Sequence, residues 1–173
     1  MTRDEIAGIV RRLRRTPLHE DGASGQRPSL GREDLFRLVP HRDPFLLIDA
    51  IDGFDAAART VRGRRRIRED DPVFAGHFPG HPVYPGVLQV EAMGQLALCL
   101  ARLLATDETD RPPDVRATHI HHAMFLAPVG PGDDLVLHAG IVEDSGLTAI
   151  SAGQVFNNGV LCACAVQEAY FVA

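Results

Sequence analysis

A chain of 173 residues with 45% hydrophobic and 24% charged residues is long enough for one well-buried domain and short for two, and its composition excludes a disordered polymer. The net charge of -5 excludes the overall basic footprint that nucleic-acid binding needs, although all 18 basic residues are arginine and several cluster at Arg11 to Arg15 and Arg62 to Arg68. Cys99, Cys162 and Cys164 sit in apolar stretches without a CxxC pair, as small hydrophobes do in a reducing compartment. Arg3, Asp4, Glu5 and Arg11 interrupt any signal-like apolar run, and Gln89, Glu91, Gln95 and Arg102 suit a bilayer span poorly; a cytoplasmic protein without a membrane segment is expected.

Residues 1–15 predict an amphipathic helix with Ile6, Ile9, Val10 and Leu13 on one face, and Pro17, Gly22, Ser24, Gly25, Pro28 and Ser29 predict a linker after it. Residues 1–30 are thus expected to be an arm separable from a domain at 31–173. A short helix over Arg32 to Val39 stops before Pro40, and strands are expected at Phe45 to Ile51 and Ala58 to Glu69. Gly76 to Gly86 packs three prolines and three glycines and predicts a rigid, tightly turned loop.

Pro85 then opens one long helix, Gly86 to about Ala105, apolar on nearly every side and so expected to be buried. Four strands follow, Val115 to Phe125, Asp134 to Glu143, Thr148 to Phe156 and Val160 to Val172, the last two joined by a tight turn at Asn157, Asn158 and Gly159. One buried helix among six strands predicts an α+β domain, an antiparallel sheet wrapped around a central helix.

The string GHFPGHPVYPGVLQVEAMGQ, Gly76 to Gln95, carries a histidine and a carboxylate 14 residues apart across the loop–helix junction. With LVPHRDPFLLID (Leu38 to Asp49) and FLAPVGPGD (Phe125 to Asp133), it resembles the FabZ-type 3-hydroxyacyl-[acyl-carrier-protein] dehydratases from about Gly31 onward. The resemblance implies a hot-dog fold and dehydration of acyl-carrier-protein thioesters in fatty-acid or polyketide and other specialised lipid biosynthesis, without a cofactor. It also implies a homodimer, or a trimer of dimers, whose sites take histidine from one subunit and acid from the other. Where many members carry two basic residues before Pro128, this chain has Leu126 and Ala127, so the usual basic docking surface is missing there. The related dehydratase-isomerases carry aspartate at the Glu91 position, which favours a plain dehydratase.

Water loss from a 3-hydroxyacyl thioester needs a base for the α proton, and His77 is the candidate because imidazole is partly neutral near pH 7. It also needs an acid for the departing hydroxide. Glu91 fits if apolar burial, worth up to about 3 to 5 pKa units, outweighs the helix dipole. Gly86 offers an N–H at a helix start for the enolate oxygen. Gln95 shares a helix stripe with Glu91 and Arg102, and Phe78, Pro79 and Gly80 shape the loop.

Arg62, Arg64, Arg66 and Arg68 alternate onto one strand face, either solvated or docking the carrier protein. His41 is expected to be structural and His81 solvent-facing. His119 and His121 share a face without a local Cys, Asp or Glu, so no metal is expected. A non-catalytic hot-dog subunit of a heterodimer and a hot-dog thioesterase are the alternatives. The first should have lost His77 or Glu91, and the second is not marked by a His-Phe-Pro-Gly loop.

Overall fold

The computed structural model describes residues 1–20, 30–105 and 114–171. In chain order the elements are α1 (Arg3–Leu13), α2 (Arg32–Leu38), β1 (Ala50–Asp55), β2 (Thr60–Arg66), a 3-10 turn (Pro72–Ala75), α3 (Gly86–Leu104), β3 (Val115–Phe125), β4 (Asp134–Asp144), β5 (Thr148–Asn157) and β6 (Val160–Phe171). The strands form one antiparallel sheet in the order β1-β2-β4-β5-β6-β3, with α3 packed across its middle strands.

Alternation along the strands gives the sheet two occupied faces. Val61, Leu137, Ala139, Val155, Ala163 and Ala165 point to α3, where Met93, Leu96 and Leu100 complete the main core. Two glycines let the helix approach closely: a Cβ on Gly153 would lie 2.6 Å from Met93, and one on Gly63 would lie 3.0 Å from Leu96. Asn158 and Gly159, within the tight turn expected at 157–159, both take positive φ (48° and 79°), the backbone that a two-residue hairpin loop demands. Among the described residues α3 alone is long and apolar enough to cross a membrane, and here it fills the domain core. Cys99 and Cys162 lie in that core.

The opposite face is covered by α1. Thr2 and Glu5 form a capping box at its start, and Val10 and Leu13 are buried against Ile150, Ala152, Cys164 and Val166. The following turn is pinned by Gln154, whose side chain accepts from Leu18 N–H at 2.7 Å and donates to the carbonyls of Leu13 (2.6 Å) and Thr16 (3.0 Å). His19 donates its backbone N–H to His138 Nδ1 at 3.4 Å, and its ring meets the Thr60 hydroxyl at 3.1 Å. Residues of the expected arm as far as His19 thus make contacts with the sheet. Gly22, Ser24, Gly25, Pro28 and Ser29 of the expected linker lie outside the described residues.

Two strand expectations are corrected. Phe45 to Asp49 is irregular, and the first strand begins only at Ala50. Leu46, Leu47 and Ile48 are buried as a strand would bury them, but side chains satisfy much of their backbone: Gln95 takes Leu47 N–H and Phe45 C=O, and Arg65 reaches Leu46 C=O. The second strand spans Thr60–Arg66, shorter at both ends than expected.

Candidate active site

The loop before α3 is built around its own backbone bonds. Asp71 caps the 3-10 turn, His77 N–H donates to Val73 C=O at 3.0 Å, and Val83 N–H returns to His77 C=O at 2.9 Å. Gly80 takes φ 75° between Pro79 and His81, which the hairpin-like closure of Phe78 on His81 requires. His77 is thereby oriented: its Nδ1 lies 2.7 Å from the Val83 carbonyl. A carbonyl can only accept, so Nδ1 carries the proton and Nε2 presents the lone pair. Phe78 stacks on the imidazole with centroids 4.2 Å apart. His81 is exposed as expected.

His77 lines a cavity of about 440 Å³ with Tyr84, Gly86, Gln89, Phe125 and Leu126. Gly86 opens α3, where the first N–H groups have no partner within the helix. The Phe125 ring lies so close that a Cβ at Gly86 would meet it at 2.5 Å, so a side chain here would have to displace that ring. Burial raises the Tyr84 hydroxyl pKa above its ordinary value. Gln89 is 4% exposed, and its Oε1 is buried without a partner among the described residues. Sequence reasoning passed over it as one more polar residue of α3; only its burial beside the His77 cavity sets it apart.

Glu91 does not line that cavity. It opens onto a second one, about 170 Å³, between α3 and the β5-β6-β3 side of the sheet, with Gln95, Leu98, Ala101, Ala117 and Gln167. Gln95, 1% exposed, donates to Glu91 Oε1 at 2.9 Å and to Phe45 C=O at 2.8 Å, while its own Oε1 accepts from Leu47 N–H. One amide thus ties the carboxylate to the Pro-His-Arg-Asp-Pro-Phe segment. His41, expected to be only structural, brings Nε2 to 3.5 Å from Glu91 Oε1. The enclosure expected around Glu91 is not supplied by one chain, whose Glu91 side chain remains 36% exposed.

The arginine row is corrected in detail. Arg62, Arg64 and Arg66 lie on β2, but Arg68 lies past its end. Each holds a carboxylate: Arg62 and Arg64 grip Asp52 at 2.8 and 2.6 Å, Arg66 meets Asp134 at 2.6 Å, and Arg68 meets Asp70 at 2.7 Å. His119 and His121 stack on one face as expected, but Glu168 of β6 supplies the acid absent from their own strand, 2.9 Å from His121. Among the described residues no group of three or more His, Cys, Asp or Glu is placed to hold a metal.

The model of the FabA-like domain matches residues 39–166. A 3-hydroxyacyl-[acyl-carrier-protein] dehydratase FabZ of Syntrophotalea carbinolica is 39% identical over 138 residues, covering 80% of this chain and 92% of the relative. The FabZ of Aeromonas salmonicida is 35% identical over 147 residues, covering 80% and 95%. Among solved structures, the dehydratase heterocomplex ApeI:P of Xenorhabdus doucetiae is similar at a TM-score of 0.68 and 13% identity, covering 80% of this chain and 91% of that one. A thioesterase-like protein of Ralstonia eutropha is similar at 0.54 and 16%, covering 70% and 83%. These structural likenesses speak to the hot-dog fold alone. The matched span and the FabZ relatives show that this chain belongs to the FabA-like family, among its FabZ-type 3-hydroxyacyl-[acyl-carrier-protein] dehydratases.

Proposed function

We propose that the chain dehydrates 3-hydroxyacyl thioesters on acyl carrier protein to trans-2-enoyl thioesters, at sites that pair His77 of one copy with Glu91 of another. The observation that carries this pairing is the separation of the two side chains into different cavities of one chain. Apolar residues around the His77 cavity also ask for a cover: Phe78, Val87 and Phe125 are 52%, 68% and 55% exposed. A second copy seated there would enclose Glu91 as well, giving the desolvation that an acid at neutral pH requires.

The chemistry follows from the atoms. His77 Nε2 removes the α proton, and the electron pair left on carbon becomes the C=C bond as the β hydroxyl departs. Glu91 protonates that hydroxyl, so the leaving group is water. Gln95 donates to Oε1, which leaves the acidic proton on Oε2 for the substrate. The Gly86 N–H faces the thioester oxygen as negative charge grows there, a contribution of about 2.7 to 4 kcal/mol for one such donor.

A homodimer, alone or as a trimer of dimers, and a cytoplasmic setting belong to this reading. The retained His77 and Glu91 count against a non-catalytic subunit. Incubation with a 3-hydroxyacyl thioester tests the reading: enoyl absorbance without free thiol is expected, whereas thiol release would mark a thioesterase and silence a non-catalytic subunit.

A further inference from the structure

Arginines outside the arm are largely neutralised by neighbours. Arg59 meets Asp144 at 2.7 Å, Arg65 meets Asp49 at 3.1 Å, and Arg62, Arg64, Arg66 and Arg68 hold the carboxylates described above. Arg11, Arg12, Arg14 and Arg15 differ. All four are exposed, and among the described residues none has a carboxylate or a side-chain hydrogen bond. They crowd the last turn of α1 and the residues just after it, so a chain of net charge -5 carries a dense positive spot.

Its position is fixed. Gln154, Cys164 and Met124 lie in register across β5, β6 and β3, and all three face α1: Gln154 holds Leu13 and Thr16, while Cys164 and Met124 pack in the arm's cluster. The next residue on β3, Phe125, turns to the other face and walls the His77 cavity. The arginine turn and the cavity mouth therefore share one end of the sheet.

We propose that Arg11, Arg12, Arg14 and Arg15 form the docking surface for the acidic acyl carrier protein that delivers the thioester. The assignment rests on the dehydratase reading. It also answers two observations: the β2 arginines already hold acids, and the cavity-lining residues Leu126 and Ala127 are uncharged. An anionic membrane fits less well. The apolar face of α1 is occupied, with Val10 and Leu13 buried on the sheet, so the helix has nothing to insert in lipid. Clustered guanidinium forks suit carboxylates presented by a folded acidic partner.

The test replaces all four arginines by glutamine (R11Q, R12Q, R14Q and R15Q together) and compares one 3-hydroxyacyl group on acyl carrier protein and on N-acetylcysteamine, at low salt. We expect kcat/KM for the carrier-bound substrate to fall at least about tenfold, mainly through KM, with a shallower salt dependence. Turnover of the small thioester should stay unchanged, and the matching all-lysine variant should keep most of the carrier rate. Equal losses on both substrates, or no loss on the carrier, overturns the surface while leaving the dehydratase reading intact. Unchanged carrier kinetics with lost binding to phosphatidylglycerol vesicles would reassign the arginines to lipid. A wild-type chain inactive on both thioesters would remove the dehydratase reading and this surface with it.

Discussion

His77 and Glu91 are each oriented by neighbours: the Val83 carbonyl accepts from His77 Nδ1, while the Gln95 amide donates to Glu91 Oε1, with His41 Nε2 at 3.5 Å from the same oxygen. On the proposed acid role, Glu91→Gln keeps size and hydrogen bonding but removes the proton that hydroxide would need. In a stepwise elimination, deuterium exchange at the substrate α carbon should survive while enoyl formation drops by about 10² to 10⁴-fold. A concerted one would lose both together, and enoyl formation at the wild-type rate would falsify the acid role. The proposed pair stands out in the sequence because both residues fall in one short string across loop and helix. Their positioning partners do not. Gln95 reads as a stripe neighbour of Glu91, but its grip on Phe45 and Leu47, about fifty positions away, exists only after folding. The same grip explains why an apolar run that reads as a strand is irregular.

At the scale of elements, long periodic segments were read well, while the contacts that α1 and the turn after it make with the sheet were not legible. Glycine, proline and serine after α1 suggest a detached linker, yet Gln154, His138 and Thr60 hold residues 13–19 from strands far along the chain. Nothing local in the arm encodes those contacts. The His138 contact carries a pH dependence. Burial, then the charges of His19, Arg62 and Arg64, pushes its imidazole down from 6.5 to about 4. Its Nδ1 accepts the His19 N–H, so a proton there would set donor against donor. His19 is itself lowered, first by burial and then by Arg62, with Asp55 and Asp52 opposing. The docked state therefore binds fewer protons than the released one. Docking is at full strength above pH 6.5 and weakens as pH falls toward 4, to the extent that release of the arm relieves the burial and the His19 charge acting on His138. Amide exchange at Leu18 and His19 should quicken as pH falls through this window, beyond its intrinsic pH dependence. A His138→Gln chain should lack the acceleration, and an equal one would place the sensitivity elsewhere.

For the whole molecule, the hot-dog architecture was legible from element order, and the second copy that the family resemblance implies is proposed from how the cavities divide. Variants His77→Ala and Glu91→Gln, each inactive alone, should recover activity when mixed. Random pairing gives about half heterodimers, each with one intact site, so about a quarter of the wild-type rate is expected. No recovery in verified heterodimers would put both groups in one chain's site. The two-sided burial of the sheet has a further consequence, for thiol chemistry. All three cysteines are buried, and burial pushes Cys99 up to about 12. A thiol reagent therefore finds no thiolate on the intact chain. Cys164 lies under α1, but Cys99 and Cys162 lie in the main core. Alkylation thus reads two separate openings: one modified sulfur records departure of the arm, and three record collapse of the domain.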